Sequence, residues 1–131
     1  MYRFSGSVRQ VLDAKGRATI PSRYRESLGS HIVLMYGRGD CIKVLPQSVF
    51  DKSLEYISSL DEQHDAEEYD RMRRLLFSAY DEQGVDRQGR VLIPVQMRDR
   101  LSLDGEIVVT GAGDHLEIWK LETFEAFMRG E

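Results

Sequence analysis

The sequence predicts an α+β fold in which two pseudo-symmetric β-hairpin units form one small β-barrel-like core, with a helical insert between them. Three observations carry this expectation. The stretch Asp13-Ala14-Lys15-Gly16-Arg17 reappears as Asp86-Arg87-Gln88-Gly89-Arg90. Each copy lies between runs of strand-like alternation and holds a glycine where a reversing backbone needs positive φ, so each reads as a hairpin turn. Between the copies, the apolar period changes from two to roughly three and a half residues.

The repeat extends beyond the turn. Arg17-Ala18-Thr19-Ile20-Pro21 matches Arg90-Val91-Leu92-Ile93-Pro94, and Arg25 and Leu28 match Arg98 and Leu101. With one residue inserted, Gly37, Gly39 and Asp40 match Gly111, Gly113 and Asp114, and Phe50 matches Phe124. The 131 residues therefore divide into a first unit over 1–50, a helical insert over 51–80 and a second unit over 81–131. A unit of this size buries too little surface to stand alone, so the copies are expected to share a core with each other or with other subunits.

Taken in order, residues 6–12 alternate as a strand, and Arg17 to Pro21 return antiparallel across the turn. Asp13 accepts backbone amides at the head of that turn and closes it. Pro21 cannot donate to a ladder and ends the strand. Ser22 is placed to cap a short helix through Leu28, which Gly29 terminates. His31 to Tyr36 is apolar enough for a strand buried on both faces, and Gly37 to Asp40 turns it into Cys41 to Leu45.

In the insert, Val49, Phe50, Leu54, Ile57 and Leu60 form one helical stripe. A second pattern directs Tyr69, Met72, Leu75, Leu76, Ala79 and Tyr80 inward and Arg71, Arg73 and Arg74 outward. The second unit repeats the plan: Gln83 to Asp86, the turn, Arg90 to Pro94, a helix over Val95 to Leu101, and strands over Glu106 to Thr110 and His115 to Leu121. Glu122 to Met128 begins a helix. Trp119 occupies the position of Leu45, where packing is the expected use of its ring. No Pro-, Gly- or Ser-rich linker separates the halves, so the connection is expected to be rigid.

Net charge is −4, which argues weakly against a nucleic-acid partner, but the distribution is asymmetric. Residues 1–25 hold Arg3, Arg9, Lys15, Arg17, Arg23 and Arg25 against Asp13, whereas 51–70 is dominated by Asp and Glu. One face can be basic while another is acidic. The single cysteine, Cys41, excludes an intrachain disulfide and fits a reducing compartment. No apolar run reaches the length of a signal peptide or a membrane span, so a cytoplasmic protein with no membrane partner is expected.

Catalytic and metal chemistry find no support. Gly37-Arg38-Gly39-Asp40 and Gly111-Ala112-Gly113-Asp114 are too short for phosphate cradles and lack a following helix start, so they read as plain turns. His31, His64 and His115 share no ligand spacing, Cys41 has no partner, and no nucleophile has a base and orienter. Neither a metal nor a cofactor is expected, and the protein is not expected to be an enzyme.

The doubled Asp-x-x-Gly-Arg hairpin, its Ile-Pro tail and the helical insert resemble the bacterial MraZ family, a duplicated relative of the SpoVT/AbrB swapped-hairpin DNA-binding domains. The resemblance spans essentially the whole chain. It implies a nucleoid-associated transcriptional regulator, a repressor, acting on the division and cell-wall gene cluster by binding short direct repeats upstream of its own operon. It also implies a homo-oligomeric ring, octamer or dodecamer, with hairpins on its rim. The family's Asp-x-x-x-Arg motif, whose Arg is tied to DNA binding, falls on Asp13 and Arg17 and on Asp86 and Arg90. One departure is that Lys15 is replaced by Gln88 in the second copy, from which weaker DNA contact by that hairpin is expected.

The residues themselves support part of this. Arg17 follows the turn on a hairpin able to enter a groove, where a guanidinium can fork to phosphate or to guanine O6 and N7, and Lys15 suits phosphate. Asp13 is better explained as a turn cap, since a carboxylate repels phosphate. An exposed Asp–Arg pair alone contributes only ~0–1 kcal/mol, which does not account for the clustering of cations here. Arg90 is more evenly balanced between pairing with Asp86 and contacting DNA. Arg23 and Arg25 are candidates for the same face, with a solvated helix surface accounting for at least one. The alternative reading is a ring-forming interaction scaffold that uses its acidic helices.

Overall fold

The computed structural model describes residues 3–131, apart from the side chains of Asp81 and Glu82. The first unit contains β1 (Ser7–Val11), β2 (Arg17–Thr19), α1 (Ser22–Leu28), β3 (His31–Tyr36) and β4 (Cys41–Pro46). The insert follows as α2 (Gln47–Ser59) and α3 (Ala66–Phe77). The second unit contains β5 (Tyr80–Gly84), β6 (Arg90–Leu92), α4 (Val95–Leu101), β7 (Glu106–Gly111), β8 (Leu116–Lys120) and α5 (Leu121–Met128). The fold is α+β.

Six strands form one sheet in the order β1-β7-β8-β4-β3-β5, and β2 and β6 form a separate ribbon. Exchanging each strand for its repeat counterpart reverses the order without changing it. A pseudo-dyad therefore passes between β4 and β8 and between β2 and β6. Ile42 faces Ile118 on the first pair of strands, and Ala18 faces Val91 on the second. The barrel is not closed, because β1 and β5 remain as edges.

The two hairpins differ from the expected ladders. The arms of the first do not pair with each other: β1 pairs with β7, and β2 pairs with β6. In the second, β5 pairs with β3. Each turn closes locally while its arms exchange partners across the dyad. Gln10 shows why β1 and β2 can separate: its side chain accepts from the Thr19 amide at 2.7 Å and donates to the Thr19 carbonyl at 2.8 Å, replacing ladder bonds.

The exchange places both units around one core. Ile20, Ile32, Leu34, Ile42 and Val44 meet Ile93, Met97, Ile107, Leu116 and Ile118 in a single buried cluster. Each such side chain contributes ~1.5–3 kcal/mol on burial, so neither unit retains its core without the other. The opposite face of β3 and β4 presents Val33, Met35 and Leu45 to Val49, Phe50 and Ile57 of α2 and Leu76 of α3. This buries β3 on both faces, as its continuous apolar run requires. On the second unit, Trp119 lies edge-on to Phe124 of α5, with ring centroids 6.0 Å apart.

Two local expectations change. Ser22 is the first residue of α1 rather than its cap; Pro21 holds the N-cap position and no side chain caps the helix. Proline's fixed φ sets the entry to the helix without a side-chain acceptor. Tyr80 begins β5 instead of continuing α3, and it packs against the shared core. Among the described residues, no helix is long and apolar enough to cross a membrane.

Candidate nucleic-acid interface

The two repeated motifs fold into matching turns. In the first, the Gly16 amide donates to the Asp13 carbonyl at 2.9 Å and the Asp13 amide to the Arg17 carbonyl at 3.1 Å. Asp13 Oδ1 accepts from the amides of Lys15 and Arg17, both at 2.9 Å, and Oδ2 accepts from Arg17 Nε at 2.6 Å. The second turn repeats this arrangement. The Gly89 amide reaches the Asp86 carbonyl at 2.9 Å, Asp86 Oδ1 accepts from Gln88 and Arg90 at 2.9 and 2.8 Å, and Oδ2 accepts from Arg90 Nε at 3.0 Å. Gly16 and Gly89 adopt φ of 82° and 78°, left-handed values that favour glycine.

Hydrogen bonds to the ionised form hold both carboxyls below the usual aspartate value. The Arg17 amide is the largest cause for Asp13, and the Arg90 amide for Asp86.

The pseudo-dyad brings the motifs into contact. Arg17 Nη1 lies 3.9 Å from Asp86 Oδ2, and Arg90 Nη1 lies 3.8 Å from Asp13 Oδ2. Two arginines and two aspartates thus form a closed, formally neutral ring of charge across the β2–β6 ribbon. The side chains of Arg17 and Arg90 are 25% and 28% exposed, so their guanidiniums are braced but remain in contact with solvent.

A second pair of arginines crosses the dyad. Arg98 on α4 donates Nε to the Ile93 carbonyl at 3.0 Å and lies against the first turn, where a Cβ on Gly16 would collide with its guanidinium. Arg25 on α1 donates Nε to the Ile20 carbonyl at 2.9 Å and lies against the second turn, where a Cβ on Gly89 would collide in the same way. Backbone bonds follow the same exchange, from Ile93 to Gly16 at 3.1 Å and from Ile20 to Gly89 at 2.7 Å. Each turn is therefore seated on the other unit. Among the described residues, neither Arg25 nor Arg98 has a carboxylate within ion-pair distance, so their charge is not neutralised as that of Arg17 and Arg90 is.

The remaining candidates separate. Lys15 is exposed in its turn, and among the described residues its side chain has no ion-pair partner. Arg23 stacks on Tyr24 with its guanidinium carbon 4.7 Å from the ring centroid, and donates to the Tyr24 hydroxyl at 2.7 Å. Its guanidinium also lies where a Cβ on Gly6 would stand, and among the described residues it has no hydrogen bond or ion pair with either turn. The Cys41 thiol is buried and pushed up to about 12 by desolvation, as suits an inert core residue. Among the described residues, no His, Cys, Asp and Glu group could hold a metal ion.

Two residues escape the sequence reading. Arg98 is visible there only as the repeat partner of Arg25, and its seat on the opposite turn has no sequence signal. Arg87 stands at the position of Ala14, so the second turn keeps a cation although Gln88 replaces Lys15.

A family model described as "MraZ protein, putative antitoxin-like" matches residues 3–72 and 76–130. Curated proteins named "Transcriptional regulator MraZ" match across most of the chain. The one from Carboxydothermus hydrogenoformans is 37% identical over 128 residues, covering 97% of this chain and 87% of its own. Those from Lachnoclostridium phytofermentans and Roseiflexus sp. are 34% and 35% identical, covering 94% and 88% of this chain and 85% and 80% of their own. The role in these names is regulatory and non-enzymatic.

Proposed function

The chain belongs to the MraZ family, and from that premise we propose that it is a DNA-binding transcriptional regulator whose paired turns grip the phosphate backbone. One observation supports this most: two turns of matching geometry stand side by side on a neutral Asp13–Arg17–Asp86–Arg90 ring, with unneutralised cations around it. Asp13 and Asp86 shape the turns, and Gly16 and Gly89 permit them. Arg17 and Arg90 keep their own aspartate and offer the outer nitrogens to DNA. The cross-dyad separations exceed hydrogen-bond distance, so a phosphate oxygen can take those nitrogens without breaking a bond. Lys15 and Arg25 add local positive field, and Arg23 is the most peripheral contributor.

In the finer reading, the protein is a cytoplasmic, nucleoid-associated repressor of the division and cell-wall gene cluster. Its domains at 1–50, 51–80 and 81–131 assemble into a ring of eight or twelve chains, and neighbouring chains engage short direct repeats upstream of its operon. One chain offers few contacts, and tethering several raises avidity by ~10²-fold or more. Subunits in a ring share one orientation, which suits direct repeats.

The test is a gel-shift titration of the DNA immediately upstream of the coding sequence, with assembly mass measured in parallel. Arg17→Ala is expected to abolish binding and leave the mass unchanged. Unchanged affinity would overturn the site assignment. Failure of the unmodified protein to bind DNA would favour a protein-interaction scaffold built on the acidic helices.

A further inference from the structure

We infer that Arg87 is a phosphate-contacting cation of the second turn beside Arg90, displaced by one residue from the position that Lys15 holds in the first, so that one chain grips DNA unequally and with a direction. The inference rests on the DNA-binding reading above. The turns are otherwise equivalent, closing through the same amides, carboxylate oxygens and glycine. Ala14 at the second position of the first turn shows that closure needs no cation there. Arg87 at that position is exposed, and among the described residues its side chain has no carboxylate partner. Folding does not account for it.

Charge supports the same assignment. The four motif residues sum to zero, so the cations at each turn lie outside that ring: Lys15 and Arg98 at the first turn, where Asp99 and Asp104 line the same cleft, and Arg87 and Arg25 at the second. Arg98 and Arg25 are equivalent, each held by a backbone carbonyl over the opposite glycine. Lys15 and Arg87 are not. Lys15 leaves the backbone at the third residue of its turn and Arg87 at the second of its own, so the two cations reach different parts of a phosphate backbone. A strictly two-fold chain would treat a site and its inverse alike. This displacement breaks that equivalence at the turns themselves, so the chain can distinguish a site from its inverse.

The experiment uses the full chain and two probes, the duplex immediately upstream of the coding sequence and a random-sequence duplex of equal length. Arg87→Ala is expected to lower affinity on both duplexes and to flatten the plot of log affinity against log salt by ~0.9 for each phosphate that the second turn no longer neutralises, with the denaturation midpoint unchanged. The double variant Arg87→Ala/Gln88→Lys gives both turns the same cation position. It is expected to recover the salt slope while changing the hydroxyl-radical protection pattern. If Arg87→Ala and the unmodified protein bind with the same slope, Arg87 is overturned as a contact and the DNA-binding reading stands. If the double variant leaves the protection pattern unchanged, the directional role is overturned. If the unmodified protein binds neither duplex, both readings fall.

Discussion

Arg17 of the first unit and Asp86 of the second face each other across the pseudo-dyad at 3.9 Å, and Arg90 and Asp13 repeat the contact at 3.8 Å. A repeated sequence motif thereby becomes one structural object. Its shorter bonds lie within each motif and its longer ones between them, so the parts of the ring have different tasks: the aspartates fix the turns, and the outer arginine nitrogens remain exchangeable.

Acid should loosen this ring. The folded values of Asp13 and Asp86 are lowered, so the unfolded chain binds more protons as pH falls. The stabilisation is fully present above the ordinary aspartate value near 3.8 and is lost as pH falls through the depressed folded values. Urea unfolding between pH 2 and 6 is expected to show a steeper acid loss for the unmodified protein than for Asp13→Asn/Asp86→Asn. Parallel curves would refute the role of these carboxylates in stability.

Substitution of the two turn glycines should carry a steric cost that a third glycine with similar φ lacks. Gly29 has φ of 81° and nothing within 4 Å of the place a methyl group would take, whereas Gly89 has an anchored Arg25 there. Gly29 has ψ of −177°, a region essentially reserved for glycine, so Gly29→Ala carries a backbone cost of ~1–3 kcal/mol and no clash. Gly89→Ala must also shift Arg25 off the Ile20 carbonyl, which adds ~1 kcal/mol for a partly buried hydrogen bond. Chemical denaturation of Gly89→Ala in the unmodified and Arg25→Ala backgrounds isolates this part, and equal losses in the two would show that the cross-dyad seat contributes nothing.

His115 should titrate above its ordinary value of 6.5. Burial opposes charging of the ring, but hydrogen bonds to Glu117 and Asp114, at 3.1 and 2.7 Å, together outweigh it. The resulting stability is complete below the unfolded value and is lost as pH rises through the raised folded one. Proton NMR is expected to place the His115 midpoint above 6.5, and Glu117→Gln should lower it. A midpoint at or below 6.5 in the unmodified protein would contradict the arrangement.

The units should unfold together, because β1 pairs with β7, β2 with β6, β3 with β5 and β4 with β8. Ile42→Ala removes a fully buried side chain from the first unit at a cost of ~2–5 kcal/mol. Trp119, in the second unit, should report the same shift in midpoint as backbone circular dichroism. Separate transitions for the two probes would mean that the units fold independently.

The sequence by itself determined the doubled motif, the order of strands and helices, the helical insert and the two glycine turns. Each is set by short-range chemistry: an aspartate that reaches amides two and four residues ahead, a glycine that tolerates positive φ, and an apolar period that changes from two to the helical value. Only the tertiary structure decided which strands pair, because alternation fixes the face a side chain points to and not the neighbour it meets. Burial of a core that neither unit could complete then brought β1 to β7 and β2 to β6. The same packing closed the four-residue charge ring and carried Arg25 and Arg98 onto the opposite turns. Contacts between residues so distant in the chain have no local signal, and they exist only once the two halves share an interior.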